Sequence, residues 1–215
     1  KIMKKFKPDV VIGVGGYVTV PVVLAAHSQK VKIILHEQNS IPGKANKLLS
    51  KYASTICISM ESSRKYFEHN NIVLTGNPRG EEILKFKKGN KKDYDLSISK
   101  KLVLITMGSL GAETINKKII ELLDDFGNKN YEVLLVTGKD NYEEVAKNKL
   151  PKNVKVVKKK KKMGEVLKFT DLIITRAGAT IISEITALNI PSILIPSPYV
   201  ANNHQVINAK DLENN

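Results

Sequence analysis

Short runs of β-branched and apolar residues recur along this chain, each separated from the next by a stretch of helical periodicity, and that alternation admits few folds. Residues 9–14, 31–35, 54–59 and 72–74 read as buried strands. Helices are expected near 19–28 and 43–52, the latter opened by Pro42 with Leu48 and Leu49 inward, and a short one near 61–67. Gly76-Asn77-Pro78 then interrupts the series, and a helical stretch gives way to 87–99, polar and lysine-rich, which reads as a loop or linker. A second series follows, with strands at 102–106, 131–136, 154–157, 172–175 and 192–195. Its helices fall at 112–126, 142–148, 163–169 and 180–188, and a last one starts near Gln205. Continuous apolar strands alternating with helices predict parallel sheets covered on both faces. The expected fold class is α/β, two Rossmann-like parallel-sheet domains spanning 1–78 and 79–215.

The chain's 215 residues, 42% hydrophobic and 26% charged, suffice for two domains of roughly 100 residues. No apolar run approaches the ~18 residues of a membrane-spanning helix. The single cysteine, Cys57, lies within Thr55-Ile56-Cys57-Ile58 and forms no internal disulfide; it reads as a small buried hydrophobe of a reducing compartment. The first residue is Lys1 and no signal-peptide pattern precedes the first strand, so the expectation is a soluble chain whose start lies upstream.

The formal net charge is +14, from 35 basic and 21 acidic residues. Only Arg64, Arg79 and Arg176 are arginine, the side chain that usually reads bases and clamps phosphates, so nucleic acid is not the expected partner. The run 158–162 is all lysine and reads as solvated surface. Each expected domain carries +7, so neither is a basic appendage of the other. A basic face held against an anionic membrane gains about 1 kcal/mol per well-placed lysine.

In an open parallel sheet, ligands sit beyond the strands' carboxyl ends, where helix N-termini present unpaired N–H groups. Four turns qualify. Gly13-Val14-Gly15-Gly16-Tyr17 lacks the third glycine of a dinucleotide loop, because Val18 stands there, which argues against NAD. His36-Glu37-Gln38-Asn39 gathers four polar side chains at a strand's end, with no partner at metal-ligand spacing. Gly108-Ser109-Leu110-Gly111 joins a strand to a helix and suits a phosphate, but no Gly-Lys-Ser/Thr follows, which argues against ATP hydrolysis. Arg176-Ala177-Gly178-Ala179-Thr180 is followed by Glu184, four residues on and on the same helical face as Thr180, where a carboxylate can accept from a ribose diol. Downstream, Asn202-Asn203-His204-Gln205 reads either as a loop reaching the cleft or as an ordinary helix start. Each turn is also a plain strand-to-helix connection, and local chemistry says only that the second domain binds something phosphorylated.

Taken together the turns resemble one family. Gly15-Gly16-Tyr17, the 36–43 stretch His-Glu-Gln-Asn-Ser-Ile-Pro-Gly, Thr75-Gly76-Asn77-Pro78-Arg79 and Gly108-Ser109-Leu110-Gly111-Ala112 occur in its order. So do Thr175-Arg176-Ala177-Gly178-Ala179 with Ser183-Glu184, and Asn202-Asn203-His204-Gln205 with Asn208-Ala209. The set is similar to the MurG family of bacterial peptidoglycan N-acetylglucosaminyltransferases, over essentially the whole chain. The resemblance implies a GT-B fold and an inverting hexosyltransferase that moves GlcNAc from UDP-GlcNAc to lipid I, forming lipid II at the cytoplasmic face of the bacterial membrane. It implies no metal and no cofactor; helix N-termini and positive groups take over the stabilisation of the departing UDP.

Carried over by position, Glu184 binds the uridine ribose, Ser109 and the 108–111 backbone face the diphosphate, and Ala179 and Thr180 open the helix that meets diphosphate and sugar. Gln205 binds the GlcNAc, Asn39 faces it from the first domain, and Arg79 is a phosphate contact. His36 and Tyr17 line the acceptor side, while Lys47 and Lys51 suit anionic lipid. The histidine proposed in the family as general base belongs to a glycine-rich loop upstream of Lys1, and the terminal helices that return to the first domain lie beyond Asn215. This sequence differs from the family's commoner pattern in having Arg79 directly after Pro78, Leu110 in place of a glutamine, and Lys160 where an apolar residue packs near the uracil. The same-fold alternatives are a UDP-GlcNAc 2-epimerase or a glycolipid glycosyltransferase, which lack the 36–43 stretch as a unit; the non-enzymatic alternative is a donor-binding subunit.

Overall fold

The computed structural model of the chain describes residues 2–107, 113–138, 141–158 and 163–214. Ser109, the 108–111 turn and Lys160 lie outside the described residues. The chain forms two compact units, one of Lys1–Pro78, Gly178–Ser183 and Ser197–Asn215, the other of Arg79–Ala177 and Glu184–Pro196. Segments 178–183 and 197–215, which the sequence groups with the second domain, thus belong by their contacts to the first unit.

In the first unit a short helix α1 (Ile2–Phe6) precedes β1 (Val10–Gly13), α2 (Thr19–Ser28), β2 (Lys32–Glu37), α3 (Lys44–Leu49), β3 (Thr55–Ile58) and β4 (Ile72–Leu74). The four strands are parallel, in the order β1-β2-β3-β4. Register places Ile33 beside Val11, and Leu35 beside Gly13 and Ile56, so one face carries the apolar side chains that meet Val23 and Ala26 of α2 and Leu49 of α3. Each such side chain, fully buried, contributes about 1.5–3 kcal/mol. Gly13 is glycine because α2 crosses close: a Cβ there would stand 2.8 Å from Thr19 Cγ2 and 2.9 Å from Leu35 Cδ2.

The opposite face of this sheet is open. Val10, Ile12 and Val73 are exposed, Ile12 by 62%, and Ile34, His36 and Cys57 are half-buried. Cys57 is therefore less enclosed than its apolar neighbours suggest, because period-2 alternation puts it on the open face while Ile56 and Ile58 take the packed one. The helix expected over 43–52 is α3 followed by a 3₁₀ turn at Ser50–Tyr52, and Leu48 points outward with 55% exposure. Adjacent helical positions lie about 100° apart, so of the leucine pair only Leu49 reaches the core. Residues 61–66 likewise tighten into 3₁₀ geometry.

The second unit opens on α4 (Pro78–Leu84), with proline at the first helical position where its missing N–H costs nothing. Segment 87–99, read from sequence as a loop or linker, is a packed loop: it makes a 3₁₀ turn at Lys91–Tyr94, buries Leu96, and donates from Gly89 N to Glu165 O at 3.0 Å and from Ser97 N to Glu132 Oε2 at 2.6 Å. Then come β5 (Lys101–Thr106), α5 (Glu113–Glu121), β6 (Tyr131–Val136), α6 (Tyr142–Ala146), β7 (Val154–Val157), α7 (Met163–Leu167), β8 (Leu172–Thr175), α8 (Ala179–Ala187) and β9 (Ser192–Leu194). All five strands are parallel in the order β7-β6-β5-β8-β9, and β5 and β6 are buried along nearly their whole length. Ile105, Val133, Leu135, Val145 and Val154 build the core on one face. A last helix, α9 (His204–Glu213), follows the polar turn and belongs to the first unit. The fold is α/β with two parallel Rossmann-like sheets, as the sequence predicts.

Candidate functional site

The strand order of the second sheet fixes where a ligand can enter. The chain winds outward from β5 through β6 to β7, then returns to the other side of β5 with β8 and β9. The connections leaving β5 and β8 therefore diverge to opposite faces, and the crevice between their carboxyl ends is the switch point at which doubly wound sheets bind ligands. β5 ends at Thr106, ahead of the Gly-Ser-Leu-Gly sequence 108–111 that lies outside the described residues; β8 ends at Thr175 and runs through Arg176-Ala177-Gly178 into α8.

Arg176 secures the rim of this crevice, its Nη1 donating to the carbonyls of Ile195 at 3.3 Å and Pro196 at 3.1 Å, just beyond β9. Ala177 is fully buried, so only a small residue fits the turn. On α8, Ala179 is buried and Thr180 exposed, while the Ser183 hydroxyl donates back to Ala179 O at 2.9 Å. Glu184, on the second turn of α8, is 6% exposed. Its Oε1 accepts a close hydrogen bond from Arg79 Nε, and Arg79 Nη1 stands 2.8 Å from Glu82 Oε2. The two carboxylates, Glu184 ahead of Glu82, hold the Arg79 guanidinium above its already high ordinary value. The structure thus brings together Glu184 and Arg79, to which the family resemblance gives ribose and phosphate roles.

The first unit gathers the acceptor-side candidates. Gly15 and Gly16 have φ of +94° and +78°, a backbone that side chains rarely adopt, and Thr19 Oγ1 closes the turn by donating to Gly15 O. That turn leaves Tyr17 88% exposed. His36, on the open face of β2, has Nε2 3.1 Å from the Gly76 carbonyl and 3.2 Å from Ser59 Oγ. A carbonyl only accepts, so Nε2 carries a proton, and in the neutral ring Nδ1 keeps its lone pair.

Glu37 points to the other face and is 3% exposed. Its Oε1 accepts from Asn39 N at 3.0 Å and Asn39 Nδ2 at 3.3 Å; its Oε2 accepts from Gly43 N at 3.0 Å and Asn46 Nδ2 at 2.8 Å. This carboxylate folds the 37–46 loop. Asn39 Oδ1 in turn accepts from Asn208 Nδ2 at 3.2 Å, and Asn208 Oδ1 accepts from Ser40 N at 2.9 Å. Asp211 Oδ2 accepts from Ser40 Oγ at 2.7 Å and, more closely, from Ser62 Oγ. Gln205 Oε1 accepts from Ser197 N at 2.8 Å, tying the start of α9 to the turn before it. Asn202 and Asn203 both take left-handed φ, +56° and +50°, which asparagine tolerates better than other side chains.

The sequence did not single out Asn46 or Asp211. Asn46 is 2% exposed on the inner side of α3, and its Oδ1 is a buried polar atom with no partner among the described residues. A polar residue at an inward helical position was the available signal. Asp211 gave none, since its partners are about 150 to 170 residues away in sequence. Among the described residues no three His, Cys, Asp or Glu side chains gather in a way that could hold a metal ion.

Comparison with known proteins fits this arrangement. Residues 102–215 match the model of the glycosyltransferase family 28 C-terminal domain, and residues 1–58 that of the family 28 N-terminal domain. A Bacillus cytotoxicus protein named UDP-N-acetylglucosamine--N-acetylmuramyl-(pentapeptide) pyrophosphoryl-undecaprenol N-acetylglucosamine transferase is 48% identical over 99% of this chain and 60% of its own length. The crystal structure of Acinetobacter baumannii MurG superposes with a TM-score of 0.79 at 28% identity, over 99% of this chain and 59% of that one. A Neisseria meningitidis UDP-GlcNAc 2-epimerase, solved with UDP-GlcNAc bound, shares the fold at TM-score 0.68 and 17% identity, over 96% and 63% of the two chains. The chain spans about three-fifths of the length of these proteins. With a family model covering more than half of its residues, the chain belongs to glycosyltransferase family 28.

Proposed function

We propose that this chain acts as a UDP-GlcNAc-dependent hexosyltransferase, moving GlcNAc to lipid I to form lipid II in peptidoglycan synthesis. The observation that carries the reading is the 48% identity, spread over 99% of the chain, to a relative named for that reaction. The switch point between β5 and β8 supports a donor site in the second unit. In this reading Glu184 accepts both ribose hydroxyls of UDP, Ser109 and its glycine neighbours face the diphosphate, and Ala179 and Thr180 begin the helix whose positive end meets it. Gln205 and Asn39 bind the GlcNAc, and Arg79 serves the phosphates or steadies Glu184.

The transfer is a single displacement with inversion. A hydroxyl oxygen of the muramyl sugar bonds to the anomeric carbon as the bond to the UDP oxygen breaks; UDP leaves with the electron pair and the hydroxyl proton goes to a base. His36 and Tyr17 stand on the acceptor side. Lys47 and Lys51, flanking exposed Leu48, offer charge and an apolar contact to an anionic membrane, which suits a reaction at its cytoplasmic face.

Titration calorimetry tests the donor site. UDP-GlcNAc is expected to bind without added divalent cation and more tightly than UDP-glucose or UDP-GalNAc. Glu184→Ala should weaken it by about 1–3 kcal/mol, the worth of hydrogen bonds to a charged group. Unchanged affinity in the variant removes Glu184 from the site, and conversion of UDP-GlcNAc to its 2-epimer without any acceptor overturns the transferase reading.

A further inference from the structure

The second unit has a cleft at the end of the sheet away from the β5–β8 switch point. It is lined by residues of the loops that lead into β5 and β8 and by the segment after α4, and it encloses about 470 Å³. Small-molecule sites begin at about 300 Å³. The six-residue length of β5, about 20 Å, separates it from the carboxyl-end crevice.

Its charge is one-sided. Lys88, Lys91, Lys100, Lys101 and Lys168 line it, and Asp171 is the one acid among the described lining residues. Lysine makes up 32 of the 215 residues, so a lining of twelve would hold about two by composition alone; it holds five. Asp171 is already engaged, accepting from Lys101 Nζ at 2.8 Å and Leu102 N at 2.9 Å. Burial by itself would raise its carboxyl, but those two donors and the charges of Lys101 and Lys91 outweigh it and hold the group ionised below the usual value. Lys91 Nζ donates to Lys100 O and Lys168 Nζ to Leu84 O, both carbonyls, which bring no negative charge of their own. Lys88 and Lys100 make no side-chain hydrogen bond or ion pair among the described residues.

The scaffold around these ammonium groups is fixed. Phe169 is 5% exposed and packs edge-on to Tyr94 at 5.9 Å. Gly89 is pinned to Glu165 O, and a Cβ there would come within 3.1 Å of that carbonyl and of the Phe169 ring. The loops thus hold like charges together at a cost that a bound anion would relieve.

We propose that this cleft is a second, anion-binding site that takes a ligand with two or more phosphoryl charges. Lysines present point charges on flexible stems, suited to a compact oligophosphate, whereas flat bidentate recognition would call for arginine. The phosphoryl groups come either from a free oligophosphate or from a lipid headgroup.

The probes are inorganic pyrophosphate and vesicles containing phosphatidic acid, used on the full chain at fixed ionic strength. Amide NMR shifts locate binding, and titration measures it for the chain, for Lys88→Gln/Lys100→Gln, and for the charge-matched control Lys149→Gln/Lys152→Gln, whose side chains lie outside the cleft. Saturable shifts at 88–91, 98–101 and 168–171, with affinity at least tenfold weaker in the first variant and kept in the control, are expected. Saturation by pyrophosphate identifies a free oligophosphate, and saturation by vesicles alone identifies a headgroup. Shifts confined to the β5–β8 end, equal losses in both variants, or no saturation by either probe overturns the proposal.

Discussion

At Glu37 a single buried carboxylate answers four donors, two from Asn39 and one each from Gly43 and Asn46. Its acceptor capacity is spent on the loop, which makes it a positioning group for Asn39 rather than an acid or base. Glu37→Gln would turn an NH2 toward two of those donors, and hydrogen bonds to a charged group are worth about 1.5–3 kcal/mol each. Urea unfolding should therefore show a loss of about 3–6 kcal/mol, with the steepness of the transition unchanged. Asp171 carries a pH signature of its own. Its carboxyl titrates lower in the folded chain than in the unfolded one, so its stabilisation is complete above the unfolded value of about 3.9 and is lost as pH falls through the lower folded value. Asp171→Asn should flatten the acid limb of a melting-temperature profile below about pH 4 while moving the neutral-pH value in the destabilising direction; an acid limb identical to that of the parent chain contradicts the assignment.

At the scale of elements, the tie between α9 and the 37–46 loop is built on Asn208, fully buried between Ser40 N and Asn39 Oδ1. Asn208→Ala strands the buried donor Ser40 N and the half-buried acceptor Asn39 Oδ1, at about 1–3 kcal/mol for the buried group left unpaired and less for the other. Amide hydrogen exchange should then speed up in residues 204–213 and 37–46 together, and faster exchange in only one of the two would show them to be independent. The strands themselves were legible: 72–74, 131–136, 154–157 and 172–175 have the predicted bounds, because a parallel strand is an uninterrupted apolar run, although 72–74, expected to be buried, leaves Val73 and Leu74 exposed. Their lateral order was not legible. Nothing local in Leu102 or Leu172 says that β8 pairs with β5 from the side opposite β6, and that pairing creates the crevice. Segment 87–99, read as a loop or linker, is a packed loop: Leu96 is buried, and backbone donors fasten it to Glu165 of α7 and Glu132 of β6. In the first unit, the sequence placed the polar group 36–39 at the end of a strand, and β2 does end at Glu37. The organising roles of Glu37 and Asp211 depend on partners that only the folded chain brings near.

At the scale of the whole chain, the exposed apolar side chains of β1 are what the described residues offer a second copy. β1 pairs only with β2 among the described strands, and Val10 and Ile12 stand exposed beside Val73. An unprotected apolar edge strand is a template for pairing with another chain. Sedimentation velocity should show concentration-dependent self-association of this chain, and Ile12→Lys should suppress it; a monomer at every concentration would show that the edge is protected.

The polypeptide passes from one unit to the other four times, at 78/79, 177/178, 183/184 and 196/197, and the third passage falls inside a single helix. Units threaded in this way are not beads on a string. Severing the backbone after Pro78 would strip the first sheet of the strap that clasps Ser40 and Ser62, and would part the first turn of α8 from the unit it packs in. Gene splitting or domain exchange in this chain must therefore cut at matched pairs of junctions, because recombination at one boundary leaves both products unlaced.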